Sequence, residues 1–290
     1  MKIIAASCCK LQQTNPQPVW REIQDERPDV LLLLGDNIYL DHDHHSDPAT
    51  LRQELRRLYD AQLAEPSFAS LLADVRRRGG SILSIYDDHD FLGNNRYGGD
   101  HPPGLREAAR AELVRALAPP TTGEDVYSVT RSDLVDIVVL DERFYRREPS
   151  ASKGDRDAIL GNQQWRWLED VVAQTGDKYL LVASSTTYHT YGDESWEQYP
   201  SAFNRMRALL GQRRGAMIVS GDVHRNDLYD DSGVMEIVTS GVARNGIGFG
   251  APRRNYGVLT FGNDSVRAQL RSLKAGWRFD VTIPRNRWSL

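Results

Sequence analysis

One short stretch decides the fold: residues 30–39 read VLLLLGDNIY. Its first half is an apolar run ended by glycine and aspartate, which is typical of a strand buried on both faces. Its second half places Asp36 and Tyr39 directly after that strand. Because open α/β sheets bind ligands outside the carboxyl ends of their strands, these two side chains are candidate ligands of a functional site.

The same kind of apolar run recurs along the chain. Six more runs, rich in β-branched residues, are predicted to be strands: Lys2–Ser7, Ser81–Tyr86, Leu134–Leu140, Tyr179–Ala183, Ala216–Val219 and Met235–Val238. Helical patterns lie between the early ones, one of them starting at Pro18 and the others covering Thr50–Asp60, Leu105–Leu117 and Gln163–Gln174. Alternation of strand and helix predicts an α/β fold.

The pattern changes towards the C-terminus. Tyr256–Phe261, Val266–Ser272 and Trp277–Ile283 are consecutive predicted strands joined by short Gly/Asn links. Such links favour antiparallel pairing. We therefore expect residues 256–290 to complete the second of two sheets within a single domain that covers residues 1–290.

Composition and charge narrow the classes of function. The formal net charge of −4 offers no general attraction to nucleic acid or to an anionic membrane. No apolar run approaches the roughly 20 residues of a membrane span, and no secretory signal is evident, so the expected location is the cytoplasm. The only cysteines, Cys8 and Cys9, are adjacent. Neighbouring cysteines cannot form an unstrained disulfide, but one of them can face a site while the other packs.

Polar residues able to bind metal follow nearly every predicted strand. An aspartate in this position is commonly a helix cap or a turn residue, so one alone means little. Here the whole set recurs at successive strand ends, which favours a shared site. Its members are Cys8, Asp36, Asp87, Asp88, His89, Asp90, Asp141, Ser184, Ser185, Asp222, His224 and Ser240.

The residue types indicate a metal site of two or more ions. The two oxygens of Asp36 can bridge two cations, and only a strongly Lewis-acidic ion such as ferric iron keeps the Tyr39 phenol deprotonated at neutral pH. Adjacent Asp87 and Asp88 repel each other unless cations neutralise them. His89 stands where it can act on a substrate, steadying phosphoryl oxygens or protonating a leaving alcohol.

Several motifs occur together in an order that resembles the PhoD-like alkaline phosphatase family, a relative of the purple acid phosphatases and other calcineurin-type metallophosphoesterases. The likeness spans about residues 1–245. It rests on Ser7-Cys8, Gly35-Asp36-Asn37-Ile38-Tyr39, Asp87-Asp88-His89-Asp90 with Asn94-Asn95, Asp141-Glu142-Arg143, Trp196 followed by Arg205, and Ser220-Gly221-Asp222-Val223-His224. It implies a four-layer α/β/β/α sandwich with mixed sheets.

The resemblance also implies roles for the candidate residues. Asp36 would bridge the metals, while Cys8, Tyr39 and His224 would hold ferric iron. Asp88 and Asp222 would hold a divalent ion, with Asn94 or Asn95 as a further ligand. His89 matches a non-ligand histidine that stabilises the transition state.

The expected cofactors are Fe³⁺ and one or two divalent ions. Thiolate, tyrosinate and the three aspartates carry about five negative charges, which one trivalent and one divalent ion would match. Oxygen ligands at the divalent site suit calcium, magnesium or manganese better than zinc, and known members of the family use calcium.

We therefore expect metal-dependent hydrolysis of small phosphate esters, by attack of a metal-bound hydroxide and with His89 assisting. Two alternatives remain open. One is a nuclease or cyclic-nucleotide phosphodiesterase with the same metals, and the other is a non-catalytic metal-binding or phospholipid-binding module.

Other residues carry weaker predictions. Arg143 can either grip phosphate or form a structural ion pair. Trp196 and Tyr199 are expected to pack in the core rather than line the site. The cluster of His42, Asp43, His44 and His45 favours a solvated loop over an extra metal site, and residues 246–250, GIGFG, favour a lid or turn.

Overall fold

A computed structural model describes residues 1–40, 46–189, 194–211, 213–230, 233–245, 252–274 and 276–285. The histidine cluster at 42–45 and the glycine-rich segment 246–250 lie outside these residues, so both predictions stay untested. Among the described helices, none is long and apolar enough to cross a membrane.

The described strands form two six-stranded sheets and a short ribbon. The first sheet has the order β14-β13-β12-β1-β2-β3, and the second has the order β4-β5-β6-β7-β9-β8. The first sheet contains β1 (Lys2–Ala6), β2 (Val30–Leu34), β3 (Ser81–Ile85), β12 (Tyr256–Phe261), β13 (Ser265–Ser272) and β14 (Gly276–Pro284). The second contains β4 (Ser128–Thr130), β5 (Val135–Val139), β6 (Tyr179–Ser184), β7 (Ala216–Ser220), β8 (Asn226–Tyr229) and β9 (Met235–Thr239). The ribbon pairs β10 (Arg244–Asn245) with β11 (Pro252–Arg253).

Both sheets are mixed. Strands β1, β2 and β3 are parallel, and β12 joins them through antiparallel pairing with β1. Strands β5, β6, β7 and β9 are parallel, while β4 and β8 pair antiparallel at the two edges. The C-terminal strands pair antiparallel, as expected, but they extend the first sheet, which the N-terminal strands begin, and not the second sheet.

Seven helices connect the strands in the described part of the chain. They are α1 (Val19–Asp25), α2 (Pro48–Leu63), α3 (Pro66–Arg77), α4 (Pro103–Leu117), α5 (Pro149–Ser152), α6 (Gly161–Gln174) and α7 (Pro200–Leu210). Proline begins α2, where its missing N–H costs nothing, and the Asp47 carboxylate accepts a hydrogen bond from the Thr50 amide at 2.9 Å. The predicted helices are present, and α3, α5 and α7 are additional to them.

Two buried clusters show how the layers stack. One contains residues of α1 to α4, of the first sheet and of one face of the second, with Ile137 and Val219 among the latter. The other contains the opposite face of the second sheet, including Val138 and Ile218, together with α6 and α7. Alternate residues of a strand face opposite sides, so the second sheet is buried on both faces. This arrangement confirms the predicted four-layer α/β/β/α sandwich.

Candidate metal centre

The site lies where the carboxyl ends of the parallel strands in both sheets meet. Cys8 follows β1, Asp36 follows β2 and Asp88 follows β3, while Asp222 and His224 follow β7 in the other sheet. The two edges are joined directly, because the backbone oxygen of Ser7 accepts hydrogen bonds from the amides of residues 241 and 242 at 3.1 and 2.9 Å. Segments distant in sequence thus bring their chemistry to one place.

The Asp36 carboxylate occupies the centre of a first group of side chains. Its Oδ2 accepts hydrogen bonds from the Tyr39 hydroxyl at 2.7 Å and from the Cys8 thiol at 3.4 Å. The Tyr39 oxygen lies 3.4 Å from His224 Nε2. The donor atoms of Cys8, Asp36 and His224 all lie within 4.8 Å of one another, so one ion can contact all three.

Asp36 also belongs to a second group, with Asp88 and His89, whose donor atoms lie within 4.8 Å of one another. Asp88 Oδ1 accepts from the backbone amide of His89 at 2.7 Å, and Oδ2 accepts from that of Asn95 at 2.8 Å. One carboxylate shared by two groups is the geometry of a bridging ligand. The distances alone allow His89 to be either a ligand or a neighbour of the ions.

Asp222 stands beside these groups rather than inside either of them. Its backbone oxygen accepts from the Cys8 thiol at 3.5 Å, and its Oδ2 accepts from Thr186 Oγ1 at 3.4 Å. Burial raises its pKa well above the ordinary value, and the charges of Asp87, Glu194 and Asp88 add to that shift. The carboxyl group therefore shares the electrostatic field of Asp88.

Asn94 and Asn95 lie at the exposed edge of the site. The Asn94 amide donates to the side-chain oxygen of Asn95 at 3.0 Å. Because both carboxamides are exposed, the choice between them as a ligand stays a prediction.

Strained backbone marks the candidate ligands. Of the seven non-glycine residues with positive φ in the described ranges, five are Cys8, Asp36, Asn95, Asp222 and His224. This conformation is unfavourable for a residue with a Cβ, at a cost of about 1–3 kcal/mol each, and persists only where the surroundings enforce it. The fold holds these five side chains in directions that relaxed loops would not give them.

Two glycines allow the strand exits to approach closely. Gly35 has a φ of +91°, and a Cβ there would lie 2.6 Å from the Cβ of Asp87. A Cβ on Gly221 would lie 2.8 Å from the Ser7 hydroxyl. Both positions need glycine, the first to bring Asp36 beside the 87–90 loop and the second to bring Asp222 beside the first sheet.

The protein matrix alone does not stabilise the charged forms of these groups. Burial raises the pKa of Asp36 well above its usual range, and the charges of Asp88, Asp87 and Asp90 raise it further. Burial followed by the charge of Asp36 does the same to the pKa of the Cys8 thiol and of the Tyr39 phenol. Positive ions in the cluster would reverse these shifts, because metal binding drives the proton off a ligand.

Two further observations fit a metal centre. Asp36 Oδ1 is buried without a hydrogen-bond partner among the described residues, which is costly for a carboxylate. Burial, helped by the charges of Arg244 and Arg253, lowers the pKa of His224 to about 3. This keeps the imidazole neutral, the form that binds metal. The donor set of thiol, phenol, imidazole and carboxylates therefore fits metal ions.

Asp88 differs from the other carboxyl groups. Burial acts to raise its pKa, but the charges of Arg143 and His89 and the Asn95 amide outweigh it, so the pKa falls below the usual value. Asp88 is thus the carboxylate that the surrounding protein already holds ionised.

Arg143 lies behind the site in a fully buried ion-pair network. Its Nε donates to Asp87 Oδ1 at 2.6 Å, and its two terminal nitrogens donate to the Glu194 carboxylate at 2.9 and 3.0 Å. All three nitrogens are engaged, which favours the structural ion pair over a grip on phosphate. Removing one partner of such a pair typically costs about 3–5 kcal/mol, because the other charge stays buried.

Asp90 connects the segments that follow β2 and β3 by hydrogen bonds. Its Oδ2 accepts from the amide of Asn37 at 2.9 Å, and its Oδ1 accepts from that of Asp87 at 2.5 Å. Burial raises its pKa to about 7, although these hydrogen bonds oppose the shift. The fourth residue of the Asp87–Asp90 motif therefore positions the ligands and does not join them.

Ser240 and Asn255 support the ligands Cys8 and His224 from the end of strand β9 and the segment before β12. Ser240 Oγ lies 3.1 Å from the Cys8 sulfur and accepts from the His224 amide at 2.9 Å. Asn255 donates to the Ser240 backbone oxygen at 2.8 Å. Ser240 was detectable as a strand-exit residue, but nothing in the local pattern distinguishes Asn255 or Glu194.

Four further candidates lie outside the two donor groups. Trp196 and Tyr199 are buried in the cluster around α6 and α7 and do not line the site. Ser184 donates to Glu142 at 2.6 Å and Ser185 to Asp87 at 2.9 Å, so both act as buried hydrogen-bond donors.

Solved structures with a similar fold include PhoD and two phosphatases. A structure of PhoD matches 98% of this chain and 68% of its own, with a TM-score of 0.72 and 18% identity. A dimetal phosphatase from Danio rerio matches 98% of this chain and 99% of its own, with a TM-score of 0.63 and 13% identity. A purple acid phosphatase from yellow lupin matches 98% of this chain and 54% of its own, with a TM-score of 0.61 and 12% identity. At these identities the likeness concerns the fold.

Family membership rests on the sequence itself. No curated protein matches the chain. The family described as PhoD-like phosphatase matches residues 3–271, nearly the whole length. The order of motifs, the fold and this match agree, and the chain belongs to the PhoD-like phosphatase family.

Proposed function

We propose that this phosphatase hydrolyses small phosphate esters with a ferric ion held by Cys8, Asp36, Tyr39 and His224. One or two divalent ions, calcium in the first place, would be held by Asp36, Asp88 and Asp222 with Asn94 or Asn95. Family membership carries the broader statement, that the chain is a metal-dependent phosphoesterase. The observation that carries the finer proposal is the position of Asp36 in two adjoining donor groups.

The ions, when bound, supply positive charge that neutralises the phosphoryl oxygens and activates water for attack. The protein's part is to hold the donors in place before substrate arrives. Asp36 is fixed by Tyr39 and Cys8, and Asp88 by the backbone amides of residues 89 and 95. Such preorganisation means that little rearrangement is needed when charge develops on the substrate.

His89 is the residue we assign to the leaving group. Its ring packs against that of Tyr39, with the centroids 4.2 Å apart, and its backbone amide is held by Asp88. Its Nδ1 is buried and has no hydrogen-bond partner among the described residues. A fixed imidazole with a free nitrogen can steady a phosphoryl oxygen or pass a proton to the leaving alkoxide.

Hydrolysis of p-nitrophenyl phosphate and of bis-p-nitrophenyl phosphate, before and after metal removal, tests the proposal. We expect at least one ester to be hydrolysed, activity to fall to background after chelation, and iron with calcium to restore it. The iron-loaded protein should be coloured by thiolate or tyrosinate bound to ferric iron. A colourless, iron-free and fully active sample would contradict the iron assignment, and failure to hydrolyse either ester would favour a non-catalytic module.

Two further predictions stay open. The nuclease or phosphodiesterase alternative would be favoured if the protein preferred bis-p-nitrophenyl phosphate and also hydrolysed nucleic acid or a cyclic nucleotide. The cytoplasmic location also stays a prediction.

A further inference from the structure

A short two-stranded ribbon that carries two arginines borders the site. Strands β10 and β11 pair antiparallel with Arg244 directly opposite Arg253. The ribbon begins beside the first-sheet loop, since the backbone oxygen of Ala243 accepts from the amide of Lys10 at 3.1 Å. Two like charges directly opposite each other destabilise a strand pair, so this placement favours a compensating anion.

The two arginines are engaged differently. Arg253 Nη1 donates a hydrogen bond to the backbone oxygen of His224, which also accepts from Asn255. The Arg244 guanidinium lies over the Tyr39 ring, 4.8 Å from its centroid, and its Nη1 is buried without a hydrogen-bond partner among the described residues. An unpaired buried donor on a cation is costly, and the cost disappears when an anion accepts from it.

Arg244 lies at the metal centre itself. The Tyr39 ring beneath it contacts the His89 ring, and the Tyr39 hydroxyl lies within the first donor group. The Lys10 ammonium stands 5.1 Å from the centroid of the same ring. The rim above Tyr39 is therefore basic, whereas the floor of the site is acidic.

We propose that Arg244 binds the phosphoryl group of the substrate, with Nη1 donating to a phosphoryl oxygen that faces the metal centre. The inference rests on the proposed function and names the residue that recognises the ester. A guanidinium fork matches the spacing of phosphate oxygens. Arg143 cannot serve in this role, because Asp87 and Glu194 occupy its nitrogens.

Variants at position 244 of the metal-loaded protein test this role through the binding of inorganic phosphate. Arg244→Gln should weaken phosphate binding about 10- to 100-fold, the usual value of a hydrogen bond to a charged group. The KM for p-nitrophenyl phosphate and the inhibition constant of phosphate should rise with it. Arg244→Lys should fall between wild type and Arg244→Gln, because it keeps the charge but loses the fork. Calorimetry gives the dissociation constant, and elemental analysis should show unchanged metal content.

Arg254→Gln provides the matched control. Arg254 follows Arg253 directly, but its guanidinium pairs with Glu22 at 2.9 Å, away from the donor groups. This variant should bind phosphate as wild type does.

Phosphate affinity of Arg244→Gln within about twofold of wild type would overturn the proposal. Loss of iron or a shifted ferric absorption band would also overturn it, since Arg244 would then be positioning Tyr39. If Arg244→Gln fails to fold, the test rests on Arg244→Lys. Weakened phosphate binding by that variant at full metal content would support the role, and unchanged phosphate binding would refute it. A wild-type protein that hydrolyses no phosphate ester would instead refute the proposed function.

Discussion

Replacing Asp36 by asparagine is expected to abolish ester hydrolysis and to release metal at the same time. The shared carboxylate contacts both donor groups, and a neutral carboxamide cannot bridge two cations. A bound metal contributes several kcal/mol of transition-state stabilisation, and each 1.36 kcal/mol is tenfold, so the rate should fall by about 10³-fold or more. Turnover of p-nitrophenyl phosphate and elemental analysis of the same sample measure both effects.

The control for this variant is Asp280→Asn. Asp280 is exposed on β14 and pairs with Arg267 at 2.7 Å. The Asp280→Asn variant should keep full activity and full metal content, because this ion pair is exposed and screened by solvent. An Asp36→Asn protein that keeps its metals and near-normal turnover would remove Asp36 from the centre of the site.

Replacing His89 by alanine is expected to lower turnover by about 10²- to 10⁴-fold, the range of a positioned acid or base, while the metals stay bound. Loss of turnover without loss of metal distinguishes a histidine that acts on the substrate from one that binds metal. Turnover and metal content are again measured together, with thermal unfolding as a check on folding.

The control is His101→Ala, since His101 lies outside the donor groups. Its charged neighbours are Arg96, Asp100 and Arg106. The control variant should leave turnover unchanged. If His89→Ala loses a metal ion along with its activity, His89 is a ligand. If His89→Ala keeps near-full turnover, its assigned role is wrong.

The main strands were predictable because they are apolar and buried on both faces. Residues 30–34 and 216–220 show no exposed position, and a continuous aliphatic run has few alternatives. The edge strand β8 escaped prediction because its sequence, Asn-Asp-Leu-Tyr, is mostly polar. Edge strands need little apolar surface, so their pattern is weak.

Helix α3 was also missed. It begins at Pro66 with the Glu65 carboxylate accepting from the Phe68 amide at 2.7 Å. Glutamate is not among the preferred capping residues, so this start carries little signal in a single sequence. The tertiary fold makes the cap effective by burying it.

The candidate ligands were predictable for a different reason. A parallel strand delivers its exit residue to a known edge, so Asp36 and Asp88 could be placed together from sequence alone. The left-handed backbone at Cys8, which sets the direction of its side chain, has no signature in residue type. The roles of Arg143 and Arg244 depend on which distant partner occupies the guanidinium, and only the folded chain determines that.

The most direct test of the account is anomalous X-ray diffraction from crystals of the metal-loaded protein, recorded on both sides of the iron edge. The account predicts an iron peak contacted by Cys8, Asp36 and His224. It predicts a second ion on the other Asp36 oxygen, next to Asp88. Peaks that lie away from Asp36, or a fully active crystal with no ion bound to that carboxylate, would contradict it.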